Sequence, residues 1–156
     1  MNQGRMPTRS GQEAGARLRV RIADPAVMSP VVGLKPDESW RAGDRQPWGG
    51  LPAKFGSWRL VEDEKEVPED SYYGDAVERC LRRLFARVNP GEFRRRLAEF
   101  DPSLQPAIVL TGFVYEFPNI VLPADIVAKI AELGASVEED FYPLPADDDQ
   151  GRGPSS

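Results

Sequence analysis

The sequence predicts a single α+β domain of two layers, in which helices cover one face of an antiparallel or mixed sheet. Segments that alternate apolar and polar residues predict strands, and segments with apolar residues at helical spacing predict helices. These segments follow one another in the order β-α-β, two helices, β-α-β. The preferred topology is a ferredoxin-like arrangement with the two helices inserted between its second and third strands.

The predicted domain covers residues 16–144 of the 156-residue chain, which is long enough to bury a core. Residues 1–15 show no apolar period, and residues 145–156 form an acidic tail, so both ends are predicted to be disordered. The chain shows no apolar core of a secretory signal and no apolar run near the ~18 residues that span a bilayer. We therefore expect a cytoplasmic protein without membrane association.

The first half of the domain contains two predicted strands. Residues 16–24 alternate strictly, with apolar residues on one face and Arg17, Arg19 and Arg21 on the other. A helix should begin at Asp24-Pro25, and the proline and glycine at positions 30 and 33 should keep it short. Residues 35–53 are loop-like, and residues 54–62 alternate again with Trp58 and Leu60 inward. The acidic run 62–70 is expected to be an exposed link.

The second half has the clearest helical pattern, in residues 71–88. Its apolar stripe comprises Val77, Cys80, Leu81, Leu84, Phe85 and Val88. Residues 92–100 predict a second short helix, residues 107–117 a central strand, and residues 123–133 an amphipathic helix. Residues 135–144 predict a closing strand in which Val137 and Tyr142 are packed.

Composition excludes several classes of chemistry. The chain has no histidine, which excludes catalysis by Ser-His-Asp or Cys-His groups and any His-ligated metal site. Its one cysteine, Cys80, lies within the apolar stripe and is predicted to be a buried structural thiol. We predict no metal site and no cofactor. Carboxylate, tyrosine, lysine and arginine chemistry, or oxygen-ligated Mg²⁺ or Ca²⁺, stays open.

The segment LKPDESWRAGD, residues 34–44, has a functional and a structural interpretation. Asp37, Glu38 and Asp44 could form an acid/base or metal-binding cluster, although their spacing differs from that of a calcium-binding loop. The structural interpretation is simpler, since Asp37 and Asp44 both suit turns. Trp40 would then cover the end of the core.

A third interpretation treats the same region as a recognition loop. Trp40, Arg41 and Trp48 are of the residue types enriched at binding hot spots, and glycines and prolines nearby would display them together with Asp44. These four residues are the candidate binding site. The interpretation overlaps with the structural one, because Trp40 could be buried while Trp48 is displayed.

The predicted helices carry a local excess of positive charge. Residues 79–96 contain seven arginines and one acid, Glu92, which gives 7 − 1 = +6. This pattern could bind phosphate groups, or it could be the solvated side of two helices, neutralised in part by residues 62–70. The chain has a net charge of −5 and no nucleic-acid-binding motif, so we do not expect nucleic acid as a partner.

Several motifs resemble one family. They are VVGLKPDESWRAGD, then SWRL on a strand, then the paired helices, then LPADIVAKIAELGASVEEDFYPL. They resemble the bacterial family called domain of unknown function 4279, over roughly residues 18–144. Pro30 departs from the pattern, because it interrupts a helix that is usually regular there. The resemblance implies a small soluble bacterial protein and no particular reaction, with a loose likeness in size and setting to immunity proteins of toxin systems.

The sequence thus favours a non-enzymatic protein-binding domain, of which an immunity-type protein that occludes a toxin is the concrete version. The acidic segments 62–70 and 138–149 would steer such a domain toward a basic partner. The alternatives are a carboxylate-based, metal-assisted hydrolase, and a structural or regulatory module that pairs through a strand edge. The oligomeric state is left open.

Overall fold

The computed structural model describes residues 11–46 and 49–145. Its elements, in chain order, are β1 (Glu13–Arg21), a 3₁₀ turn (Pro25–Val27), α1 (Met28–Val32), β2 (Glu38–Trp40), β3 (Ser57–Glu64), α2 (Tyr73–Arg87), α3 (Pro90–Phe100), β4 (Pro106–Val114), α4 (Ala124–Leu133) and β5 (Ser136–Pro143). The predicted α+β class with a mixed sheet is confirmed. Within these ranges, no helix has both the length and the apolar character needed to cross a membrane.

The five strands form one sheet in the order β2-β3-β1-β4-β5. β1 lies at the centre and pairs antiparallel with β3 and β4, while β4 and β5 run parallel. The predicted ferredoxin-like order is wrong, because in that fold the first strand lies between the third and fourth of four main strands. Here the connection through α1 and β2 returns the chain as β3, antiparallel beside β1, and two helical crossovers follow: β3-α2-α3-β4, which passes over β1, and β4-α4-β5 between neighbouring strands.

The core lies between the sheet and the helices. β1 turns Ala16, Leu18 and Val20 toward the helices, and β3 turns Trp58 and Leu60 the same way, as predicted. The predicted stripe of α2 is buried against this face. The ring of Trp58 contacts that of Phe93 on α3 at a centroid distance of 5.9 Å. The helices therefore cover one face of the sheet, which leaves the other face as the surface of interest.

Local chemistry fixes where the short elements begin and end. The Asp24 carboxylate accepts a hydrogen bond from the Ala26 amide and caps the 3₁₀ turn. Asn89 caps α3 in the same way, accepting from the Glu92 amide. α1 ends at Gly33, whose φ of 73° suits glycine better than any other residue. The helix that follows Pro25 is short, as predicted.

Four sequence predictions need correction. β1 begins at Glu13, three residues inside the predicted disordered segment, and β3 extends to Glu64 into the predicted link. Residues 38–40 of the predicted loop form the edge strand β2. Val137 and Tyr142, on the edge strand β5, are 45% and 49% exposed rather than buried, although the Tyr142 ring contacts that of Phe113 at a centroid distance of 5.6 Å. The predictions for residues 1–10 and 146–156 lie outside the described residues.

Candidate functional site

The face of the sheet that the helices leave uncovered, here called the open face, carries a cluster of arginines. Arg17, Arg19 and Arg21 project from alternate positions of β1, opposite to the buried Leu18 and Val20. Arg59 of β3 is the register partner of Arg19 and lies on the same face. The pairing of β1 with β3 thus brings four guanidinium groups together at the centre of the sheet.

Arg19 is the most buried member of this cluster, with 9% of its surface exposed. Its two terminal nitrogens donate to the Glu138 carboxylate of β5, with Nη1–Oε2 at 2.7 Å and Nη2–Oε1 at 2.8 Å. Its Nε atom is buried and has no hydrogen-bond partner among the residues that the structure describes. The hydrogen bonds from Arg19 lower the pKa of Glu138 despite partial burial, and the charges of Arg19, Arg21 and Arg59 add to this effect.

Arg59 lies between aromatic and polar neighbours. Its guanidinium carbon stands 4.6 Å from the centroid of the Trp40 ring, a cation–π contact, and its Nε donates to the Ser57 hydroxyl at 3.2 Å. Burial lowers the pKa of Arg59, and the charges of Arg19 and Arg17 lower it further, although nearby acids oppose them.

Two shallow grooves meet at this cluster and share Arg19, Arg21 and Arg59. The first, the β2–β3 groove, has a volume of about 340 Å³ and is lined in part by residues 51–55. The second, of about 370 Å³, extends over β4 toward β5 and is bordered by Glu138, Glu139 and Asp140. Among the described residues, the charged side chains of the first groove are all cations, whereas those of the second groove carry both signs.

The predicted binding residues are only partly brought together. Trp40 lies on the open face, 7% exposed, in β2. Arg41 and Asp44 form a turn beside it: the Arg41 amide donates to Asp44 Oδ2 at 2.9 Å, and Arg41 Nη2 contacts Asp24 Oδ1 at 3.0 Å. Trp48 lies outside the described residues. The structure thus places Trp40 against the arginine cluster, whereas Arg41 and Asp44 stabilise the turn.

The side chain of Asp37 makes contacts that stabilise the fold. Its Oδ2 atom accepts from the Val61 amide at 2.7 Å and contacts Arg87 Nη1 of α2 at 2.8 Å. Partial burial would raise the pKa of Asp37, but the hydrogen bonds from Arg87 and Val61 and the charge of Arg87 outweigh it and lower the pKa. Asp37 therefore ties the loop before β2 to both β3 and α2.

The proposed acidic cluster is not assembled. Asp37 binds Val61 and Arg87, Asp44 binds the Arg41 amide, and Glu38 is the register partner of Arg59. In the described parts of the chain, no three or more Asp, Glu, Cys or His side chains are grouped so as to hold a metal ion. The geometry offers no support for a metal-assisted hydrolase at residues 37–44.

The arginines of α2 are largely neutralised by acids of β3. Arg79 contacts Glu64 at 2.6 Å, and Arg83 and Arg87 both contact Glu62, at 3.3 and 3.2 Å. Arg82, also of α2, pairs with Asp125 of α4, and Arg95 and Arg96 of α3 pair with acids one turn away in the same helix. These pairs match the interpretation of a solvated, internally neutralised helix surface. They also neutralise Glu62 and Glu64, which were expected to attract a basic partner.

The arginines of the open face and Phe55 were not among the predicted site residues. Phe55 is 54% exposed, and its ring centroid lies 4.6 Å from the guanidinium carbon of Arg21. The alternation of Arg17, Arg19 and Arg21 was visible in the sequence and correctly assigned to the polar face. What the sequence lacked was the register that places Arg59 and Trp40 beside them.

Comparison with known proteins identifies the family of the chain. No curated protein and no solved structure matches it. The sequence profile of the family described as domain of unknown function (DUF4279) matches residues 14–144. This range contains all five strands except the first residue of β1, and both sides of the open face. The protein therefore belongs to the domain of unknown function 4279 family.

Proposed function

We propose that this domain is a non-enzymatic protein-binding module of the bacterial cytoplasm, and that its partner docks on the open face of the sheet. The observation that carries the proposal is the arrangement of exposed Phe55 and the arginine cluster, packed in part on the buried Trp40 ring, on a face that the protein's own helices leave uncovered. Tryptophan, arginine and exposed aromatic residues are the types that contribute most to binding energy. Such a surface acts by shape and charge and needs no reacting group.

The experiment is affinity capture of a partner from lysate of the source organism. It compares wild type with two variants whose substitutions lie on the two different layers of the domain. Phe55→Asp alters the open face, whereas Phe100→Asp alters α3 on the other layer; the two rings are 54% and 46% exposed in the wild type. We expect one stoichiometric partner with wild type and with Phe100→Asp, and loss of that partner with Phe55→Asp. Equal capture by both variants, each checked for wild-type circular dichroism, would contradict docking on the open face.

A narrower form of the proposal is an immunity-type protein that occludes a toxin. The net charge of −5 favours long-range attraction of a basic protein such as a nucleic-acid-cleaving toxin. Exposed Glu139 and Asp140 on the edge strand β5 contribute to this field. We expect the captured partner to lose its activity when the domain is added in equimolar amount. A partner whose activity is unchanged would contradict occlusion while leaving protein binding intact.

A further inference from the structure

The β2–β3 groove is distinguished by the sign of its charge. All ionisable side chains among the described residues that line it are cations: Arg19, Arg21, Lys54 and Arg59. The protein as a whole is acidic, with a net charge of −5, so this groove is a local reversal of the overall field. A local reversal on an uncovered face indicates a binding site for negative charge.

The cations at the outer end of this groove are available to a ligand. Arg21 and Lys54 are both exposed, and no Asp or Glu of the described chain lies within ion-pair distance of either. The guanidinium carbon of Arg21 lies over the Phe55 ring, 4.6 Å from its centroid. A guanidinium has five N–H donors, so a cation–π contact with one ring leaves donors for a carboxylate.

The groove also has an apolar side. Leu51 and Phe55 are 84% and 54% exposed and line the same groove as Arg21 and Lys54. Exposed large apolar side chains next to unpaired cations suit a ligand that carries both carboxylates and apolar groups. A simple inorganic anion would leave the apolar side unused.

We propose that the β2–β3 groove binds an acidic peptide segment of the protein partner, with carboxylates at Arg21 and Lys54 and an apolar side chain between Leu51 and Phe55. This inference rests on the proposed function and specifies the chemistry of the partner's contact segment. Only the segment needs to be acidic, so the rest of the partner can carry either sign of charge.

The charge around the groove favours a short acidic segment over a long polyanion. The adjoining groove is bordered by Glu138, Glu139 and Asp140, and the helix arginines that could extend a basic track are paired with acids. A nucleic acid strand continuing past the β2–β3 groove would meet these carboxylates. A peptide can confine its negative charge to the few residues that enter the groove.

The test is fluorescence polarisation with a short labelled peptide of alternating glutamate and leucine, titrated with the full chain at low and moderate salt. The comparison probes are the same peptide with lysine in place of glutamate, and a single-stranded oligonucleotide of equal charge. The variant Arg21→Glu/Lys54→Glu reverses the proposed contacts. The control Lys35→Glu/Lys65→Glu makes the same change in net charge at exposed lysines that line neither groove.

We expect the glutamate peptide to bind wild type and the control alike, to weaken as salt rises, and to bind the Arg21→Glu/Lys54→Glu variant about tenfold or more weakly. Equal weakening in the control, no binding of the glutamate peptide, or tighter binding of the lysine peptide or the oligonucleotide would overturn the inference. Failure of the inference is distinguishable from failure of the proposed function. If Arg21→Glu/Lys54→Glu still captures the partner that Phe55→Asp loses, docking on the open face stands and the acidic-segment chemistry is wrong.

Discussion

Arg19 and Glu138 form a bidentate ion pair that joins the central strand β1 to the edge strand β5 across β4. The two nitrogen–oxygen distances are 2.7 and 2.8 Å, and the residues are 119 positions apart in the chain. Ala107 of β4 is the register partner of both Arg19 and Ser136, so the Arg19 side chain crosses the sheet above a small residue. The pair thereby stabilises the position of β5, an edge strand that has only β4 as a strand neighbour.

Glu138→Gln should reduce the free energy of unfolding by about 1–2 kcal/mol at neutral pH. The substitution leaves Arg19, whose side chain is only 11% exposed, without its carboxylate, while solvent around the 42% exposed Glu138 side chain limits the loss. Urea denaturation followed by circular dichroism measures the difference. The control is Glu139→Gln, a neighbouring exposed glutamate whose substitution should leave stability unchanged.

The ion pair between Arg19 and Glu138 should make the free energy of unfolding depend on pH. The pKa of Glu138 is lowered in the folded protein from its ordinary value of 4.5, so the pair contributes stability above that value and loses it as pH falls through the folded pKa. The difference between wild type and Glu138→Gln should therefore be full at neutral pH and shrink below about pH 4.5. A difference that stays constant into acid would show that the charge of Glu138 is not its source.

Asp37 substitutions should lower stability. Asp37→Asn keeps an acceptor for the Val61 amide but removes the charge opposite Arg87, and should cost about 1 kcal/mol. Asp37→Ala removes both contacts and should cost about 2 kcal/mol. Thermal unfolding of the two variants measures the difference. Wild-type stability in both would contradict the structural role and return Asp37 to the list of functional candidates.

Trp40→Ala should cost about 3–5 kcal/mol, since the ring is 7% exposed and stacks with Arg59. Trp40→Phe keeps an aromatic face for Arg59 and should cost less. Chemical denaturation of the two variants gives the comparison. An unchanged melting temperature in Trp40→Ala would remove the structural interpretation of Trp40 and leave only the recognition one.

Cys80 should be unreactive toward an aromatic disulfide reagent in the folded protein at neutral pH. Burial raises the pKa of its thiol to about 11, and its Sγ atom donates toward the Ala14 carbonyl at 3.8 Å. Reaction should appear only as the chain unfolds in denaturant, and its midpoint should match that of circular dichroism. Rapid labelling without denaturant would contradict the burial of this residue.

Two patterns that are local in sequence were predicted correctly. The stripe of α2 was identified because one apolar face recurs at helical spacing, and Trp58 and Leu60 were placed inward because strands alternate. Pairing between distant segments was not predictable in this way. The strand order was wrong because one β-α-β pattern can return parallel or antiparallel, and only packing decides.

The candidate site shows the same division. The sequence identified Trp40 as a candidate and put Arg19 and Arg21 on a polar face. It did not indicate that Trp40 lies in a strand, because β2 has three residues and sits in a segment rich in glycine and proline. The position of Trp40 and Arg59 beside the β1 arginines follows from two strand pairings, β2 with β3 and β3 with β1. Neither pairing can be predicted from the residues of one segment alone.

The central position of β1 has a consequence for how the chain folds during synthesis. β1 is the first described strand of the domain to be synthesised, and its two neighbours end at residues 64 and 114. Its two hydrogen-bonding edges gain partners only once β3 and then β4 have been made, and closing such distant contacts slows folding. β5, the last strand, completes the sheet only after almost the whole domain has emerged. The nascent chain therefore carries a β1 with at least one unpaired edge until β4 is complete, a state that invites association with other chains unless folding or a chaperone covers it.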